Sequence, residues 1–141
     1  MRMKDVLTEV RHKKPLVQCI TNFVTVNDCA NIILASGGSP TMANHPLEVE
    51  EAVRYVQALV CNMGAIESVD SMILAGKEAD RLGKPVILDP VGAGGTQFRR
   101  SIVKKLAGEV HFYCDSRKCV RDSLSGRTAS HRKRRGRKRY G

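Results

Sequence analysis

The chain has 141 residues, 42% of them hydrophobic, and carries 24 Lys+Arg against 14 Asp+Glu, a formal net charge of +10. That length allows one domain with a modest core, and the sequence has no run of about 20 apolar residues long enough to cross a bilayer. The charge is uneven: residues 1–112 hold 13 Lys+Arg against 12 Asp+Glu, a net of +1, whereas residues 113–141 hold 11 against 2, a net of +9. The basic balance therefore says nothing about what the first 112 residues bind. The N-terminal stretch MRMKDVLTEVRHKK lacks the apolar centre of a secretory signal, so a reducing, cytoplasmic setting is the expectation. Of the five cysteines, Cys19, Cys29 and Cys61 lie in apolar segments and read as small core hydrophobes. Cys114 and Cys119 are spaced C-x4-C with no second close pair, which is not a usual zinc-ligand spacing.

Val6, Leu7 and Val10 predict a first helix over Met3–Arg11, ended by Pro15. Leu16–Ile20 reads as a short strand. Thr25 is the expected cap of a second helix over Val26–Ser36, with Ala30, Ile33 and Leu34 recurring at helical spacing and Gly37 and Gly38 stopping it. Ser39–Ala43 is a short extended segment. Pro46 opens a third helix, with Glu48 in its first turn. Ala58–Asn62 is a buried strand. Ser68 caps a fourth helix that faces inward through Val69, Met72, Ile73, Gly76 and Ala79 and ends at Gly83. Pro85–Asp89 is the next strand, followed by the loop Pro90–Thr96. A helix near Ser101–Leu106 is closed by Gly108, and Val110–Phe112 begins a further strand.

Strands and helices alternating at this spacing predict a three-layer α/β fold with a mostly parallel sheet. Ligands in such folds sit beyond the carboxyl ends of the strands. That places interest on the ITN segment after Ile20, the TMA segment around Met42 and the loop after Asp89. In ILDPVGAGG, Asp89 ends an apolar strand, where a carboxylate can meet a metal ion or a phosphate. The backbone N–H groups of Gly92, Gly94 and Gly95 can approach an anion, although the same pattern also serves as a plain turn. In the segment Cys19–Ala43, Asn22, Asn27, Asp28 and Asn31 supply polar groups that can orient a small polar ring or merely cap and solvate a helix.

The segments PLVQCITNFVTVNDCANIILASGGSPTMA, ALVCNMGAI and ESVDSMILAGKEADRLGKPVILDPVGAGGTQFR carry a resemblance. Over residues 4–112 they resemble hydroxyethylthiazole kinases, thiamine-salvage enzymes of ribokinase-like fold. The resemblance implies transfer of the γ-phosphoryl of ATP, with Mg2+, to the hydroxyethyl group of a thiazole alcohol. It implies that Met42, Asn22 and Val24 contact the thiazole and that Asp89 lies near Mg2+ and phosphate. It also implies a homotrimer with substrate sites between subunits. Gln18 and Cys19 stand where the family often has His with a small residue, and Gly38 and Thr41 replace common neighbours.

The resemblance stops after Phe112. The family's TVIRGN.SEI motif, which supplies an Arg for ATP, and its later Gly-rich anion hole with a Cys beside the reacting hydroxyl have no counterpart in residues 113–141. The expectation is a truncated domain, inactive alone, whose last strand is an open edge and whose fourth and fifth helices lack part of their packing layer. The segment YCDSRKCVRD, residues 113–122, can be encoded so that dropping one base yields TVIRGNVSE followed by Ile. Residues 113–141 thus read as an irregular, frameshifted tail, which resequencing the gene tests. The alternative reading is a non-catalytic α/β module whose run HRKRRGRKR, His131–Arg139, makes salt-sensitive, nonspecific contact with nucleic acid.

Overall fold

The computed structural model describes residues 2–113. Cys114, Cys119, the basic run and the rest of the frameshifted reading lie outside the described residues. The elements in chain order are α1 (Met3–Lys13), β1 (Leu16–Ile20), α2 (Val26–Ser36), β2 (Ser39–Thr41), α3 (Val49–Tyr55), β3 (Ala58–Asn62), a 3-10 turn (Ile66–Ser68), α4 (Val69–Arg81), β4 (Val86–Asp89) and α5 (Gln97–Glu109). The strands form one sheet in the order β2-β1-β3-β4, and every pairing is parallel.

Strand order dictates the layers. The β1-to-β2 crossover steps to one side of β1, and the β2-to-β3 and β3-to-β4 crossovers step to the other. Right-handed crossovers therefore put α2 on one face of the sheet and α3 and α4 on the opposite face. The register agrees, because Gln18, Leu59 and Val86 are aligned, as are Ile20, Cys61 and Leu88. These six side chains share one face, against α3, α4 and α5, and five of them join Val49, Val53, Met72, Val103 and Leu106 in the main core. The sixth, Gln18, is a polar residue with no exposure at all.

α4 was expected to lack part of its packing layer. Instead it buries Val69, Met72, Ala75, Gly76 and Ala79. The open surface is the other face of β4, where Ile87 is 43% exposed, because α2 packs on β2 and α1 on α2, with no comparable packing of either on β3 or β4. Leu34 on α2 is 56% exposed.

Helix ends differ from the sequence reading at several points. Residues 46–48 form a turn, and α3 starts at Val49. Ser68 precedes α4 without a side-chain cap bond. α5 starts four residues before Ser101 because the Thr96 hydroxyl accepts from the Arg99 N–H at 3.1 Å, and Gly108 lies inside this helix, whose C-cap is Val110. Val110–Phe112 forms no strand among the described residues, although the Tyr113 N–H donates to the Val86 carbonyl at 2.7 Å.

α3 and α4 are tied by charge. The Glu78 side chain is 9% exposed and accepts from Arg54 Nε at 3.0 Å, Arg81 Nε at 2.7 Å and Arg81 Nη2 at 2.8 Å. Lys84 Nζ donates to the carbonyls of Val53 at 2.8 Å and Arg54 at 2.6 Å, closing the C-terminus of α3. The hydrogen bonds from Arg81 and then Arg54 lower the Glu78 pKa to about 2, against an ordinary 4.5. A folded pKa below the unfolded one stabilises above the unfolded value, and that contribution is lost as pH falls from about 4.5 towards 2. Glu78→Gln is therefore expected to unfold at lower urea near neutral pH. Its urea midpoint should also depend less on pH across that window, and a pH profile parallel to the parent's would remove Glu78 as the titrating tie.

Candidate functional site

After β1 the chain turns to the α2 face, and after β3 it turns to the α4 face. Adjacent parallel strands whose connections part in this way leave a crevice at their carboxyl ends. Asn22 enters it from β1, and Asn62 and Gly64 enter it from β3. Met42 follows β2 on one flank, and Asp89 ends β4 on the other. The four residues singled out from sequence, Met42, Asn22, Val24 and Asp89, thus lie along one end of the sheet.

Asn22 shapes its own loop. Its Oδ1 accepts from the Val24 N–H at 3.0 Å, the Thr25 N–H at 3.0 Å and the Thr25 hydroxyl at 3.2 Å. Asn22 orders the turn that leads into α2, whereas Thr25, the expected cap, makes no side-chain cap bond. With the carbonyl oxygen fully engaged, the amide Nδ2 remains as a donor and lies against Gly64. Asn62 Oδ1 accepts from the Gly64 N–H at 2.7 Å. A β-carbon at Gly64 would overlap Asn22 Nδ2 and come within 3.0 Å of Asn62 Oδ1, so the two amides converge on this glycine. Asn62 and Asp89 are register partners whose side chains leave the sheet on the same face.

Val24 is 74% exposed beside Phe23 at 86%, while Met42 is half-buried. Asn27, Asp28 and Asn31 are exposed along α2 and make no side-chain hydrogen bond among the described residues. They form the solvated face of that helix. Asp89 is exposed, and its carboxylate has no hydrogen-bond or ion-pair partner among the described residues. No cluster of three or more His, Cys, Asp or Glu suited to a metal occurs among the described residues. A lone, open strand-end carboxylate suits Mg2+, which keeps several waters and is commonly held by one or two carboxylates together with substrate phosphates.

The Gly-rich loop is internally tied. The Ala93 N–H donates to the Pro90 carbonyl and the Gly95 N–H to the Gly92 carbonyl, each at 3.0 Å. Gly95 therefore leaves the set of anion donors expected from sequence, while the N–H groups of Gly92 and Gly94 take no backbone partner among the described residues. Arg99 Nη1 donates to the Met63 carbonyl at 3.1 Å and the Val91 carbonyl at 3.4 Å, and Arg100 Nη1 donates to the Gly94 carbonyl at 3.0 Å. Arg99 thus stitches the loops after β3 and β4 together, and Arg100 ties the second of them to α5. Neither they nor the Asn62–Gly64 pair stood out in sequence, where Thr-x-x-Arg and Asn-x-Gly were the signals available.

Buried thiols add no nucleophile here. Burial, with a smaller push from a neighbouring cysteine, raises Cys61 to about 12 and Cys19 to about 11.

A sequence model of the hydroxyethylthiazole kinase family matches residues 7–116. The chain belongs to the hydroxyethylthiazole kinase family. It is 56% identical over 110 residues to a hydroxyethylthiazole kinase of Desulfovibrio desulfuricans, covering 77% of this chain and 39% of that protein. It is 57% identical over 106 residues to one of Clostridium botulinum, covering 74% and 38%. The fold matches the solved structure of a Pyrococcus horikoshii hydroxyethylthiazole kinase with a TM-score of 0.71 at 44% identity, covering 74% of this chain and 42% of that one. The chain thus spans about two-fifths of the length of these relatives. Among the described residues, no helix is long and apolar enough to cross a membrane.

Proposed function

We propose that this chain contributes the thiazole-binding part of an ATP-dependent phosphotransferase acting on the hydroxyethyl group of a thiazole alcohol. The family match carries the reading. The order of residues along the sheet end supports it, with Met42 after β2, Asn22 and Val24 after β1, and Asp89 at the end of β4. Met42 and Asp89 are three strand spacings apart, about 14 Å. That span exceeds a thiazole ring and suits a ring at one end with a phosphate chain at the other. Met42 and Val24 offer apolar contact, and the Asn22 amide offers a donor to a ring heteroatom or hydroxyl. Asp89 is the residue that would hold Mg2+, which when bound neutralises phosphate charge during transfer. Exposed Phe23 and Val24 beside the site offer apolar surface that association between copies, as in the homotrimer the resemblance implies, would cover. The end of the family match at residue 116 supports a boundary near Phe112, with the basic frameshifted tail beyond it.

The test is phosphoryl transfer from ATP to hydroxyethylthiazole with Mg2+, in the parent chain and in Asp89→Asn. Turnover lost in the variant supports the assignment. Turnover unchanged in the variant removes the role given to Asp89. Saturable hydroxyethylthiazole binding without turnover limits the chain to the substrate-binding part, and absence of binding overturns the reading.

A further inference from the structure

Gln18 lies on the core face of the sheet as a fully polar side chain with no exposure to solvent. Its Nε2 donates to the Ala43 carbonyl at 2.9 Å. Its Oε1 is buried and has no partner among the described residues. A buried amide with one arm unmet is a poor stabiliser, because the lost hydration of the free carbonyl offsets what the other arm gains. An apolar side chain of similar length would fill the same space without that cost. Packing therefore does not account for a glutamine here, and the position of its one hydrogen bond does.

The β1–β2 ladder ends at the pair Gln18 and Thr41. Beyond it, Cys19 and Ile20 pair only with β3, and the chain carrying Met42 leaves the sheet. The Gln18 side chain reaches two residues past its own register partner and takes hold of the Ala43 carbonyl, one peptide beyond Met42. It continues by side chain a pairing that the backbone has given up. We infer that Gln18 is a positioning residue that fixes the Met42 segment against β1 and so sets the affinity of the apolar end of the crevice. This rests on the thiazole-binding reading of Met42.

The experiment compares the parent chain with Gln18→Met, reading thermal stability, the methyl NMR signal of Met42 and hydroxyethylthiazole binding. The variant is expected to melt at or above the parent's temperature, to shift the Met42 methyl signal, and to bind roughly two- to tenfold more weakly, the loss of one neutral hydrogen bond. A Met42 signal and an affinity both equal to the parent's would overturn the inference. A fall in stability with the Met42 signal unmoved would also overturn it, as that is the mark of a merely structural side chain. Should the parent bind no hydroxyethylthiazole, the functional reading fails, while the Met42 signal still decides whether Gln18 holds the segment. Should the variant not fold, the Gln18 side-chain amide protons of the parent decide. Slow exchange with solvent supports the bond to Ala43, and exchange at the rate of a free amide overturns it.

Discussion

Replacing Gly76 by alanine is expected to destabilise the fold, although alanine is the better helix former. In an exposed helix interior the exchange gains about 1 kcal/mol. Gly76 is instead buried in the middle of α4, and a β-carbon there would lie 2.6 Å from both methyls of Val110 and 3.2 Å from its Cβ. Val110 cannot rotate away, because turning a branched side chain only exchanges one methyl for another, and its own Cβ is already too close. The backbone at Val110 must move. Val110 caps α5 and begins the segment that brings the Tyr113 N–H to the Val86 carbonyl. Overpacking of this kind costs about 1–3 kcal/mol, which outweighs the gain in propensity. Urea unfolding of Gly76→Ala should show a lower midpoint, with faster exchange of the Tyr113 amide. A raised midpoint would mean that α5 and Val110 are not seated on α4 as described.

Gly64→Ala is expected to damage the site and the fold together. The new methyl would occupy the space of Asn22 Nδ2. If Asn22 swings out, the Val24 and Thr25 N–H groups and the Thr25 hydroxyl lose their shared acceptor. Each hydrogen bond lost in this turn costs about 0.5–1.5 kcal/mol. If Asn22 stays, the loop after β3 must retreat, which strains the Arg99 bond to the Met63 carbonyl. Either response opens the crevice between β1 and β3. The amide signals of Val24 and Thr25 should move, and hydroxyethylthiazole binding should fall along with the unfolding midpoint. Unchanged Val24 and Thr25 signals in a folded variant would show that the two asparagines do not converge on Gly64.

Much of the framework was legible before any coordinates. β1, β3 and α2 fall at the residues the apolar runs and the Gly37 stop indicated. Asp89 and Met42 were picked out as strand-end residues, and they stand there. The rest depends on which side chain reaches which backbone group, near or far along the chain. Nothing in the local period of QFRR announces that α5 begins at Gln97, because a single hydroxyl at Thr96 sets that start. Thr25 is a reasonable cap by residue type, yet its hydroxyl donates to Asn22 and makes no cap bond, while Asn22 holds the Val24 and Thr25 N–H groups just ahead of the helix. Arg99 joins carbonyls at Met63 and Val91, 36 and eight residues away, a link no window on the sequence contains.

The pairing of Asn62 with Asp89 has a consequence for how this site can vary. The same register that aligns them also aligns Leu59 with Val86 and Cys61 with Leu88. A slip of one residue between β3 and β4 would turn Leu88 out of the core and swing Asp89 towards it. The core therefore guards the polar edge: a one-residue slip that parts the carboxylate from the amide also unburies the aliphatic residues. Insertions can accumulate in the loops after Asn62 and Asp89 without disturbing that alignment, whereas a single-residue deletion inside either strand would lose the core and the crevice in one event.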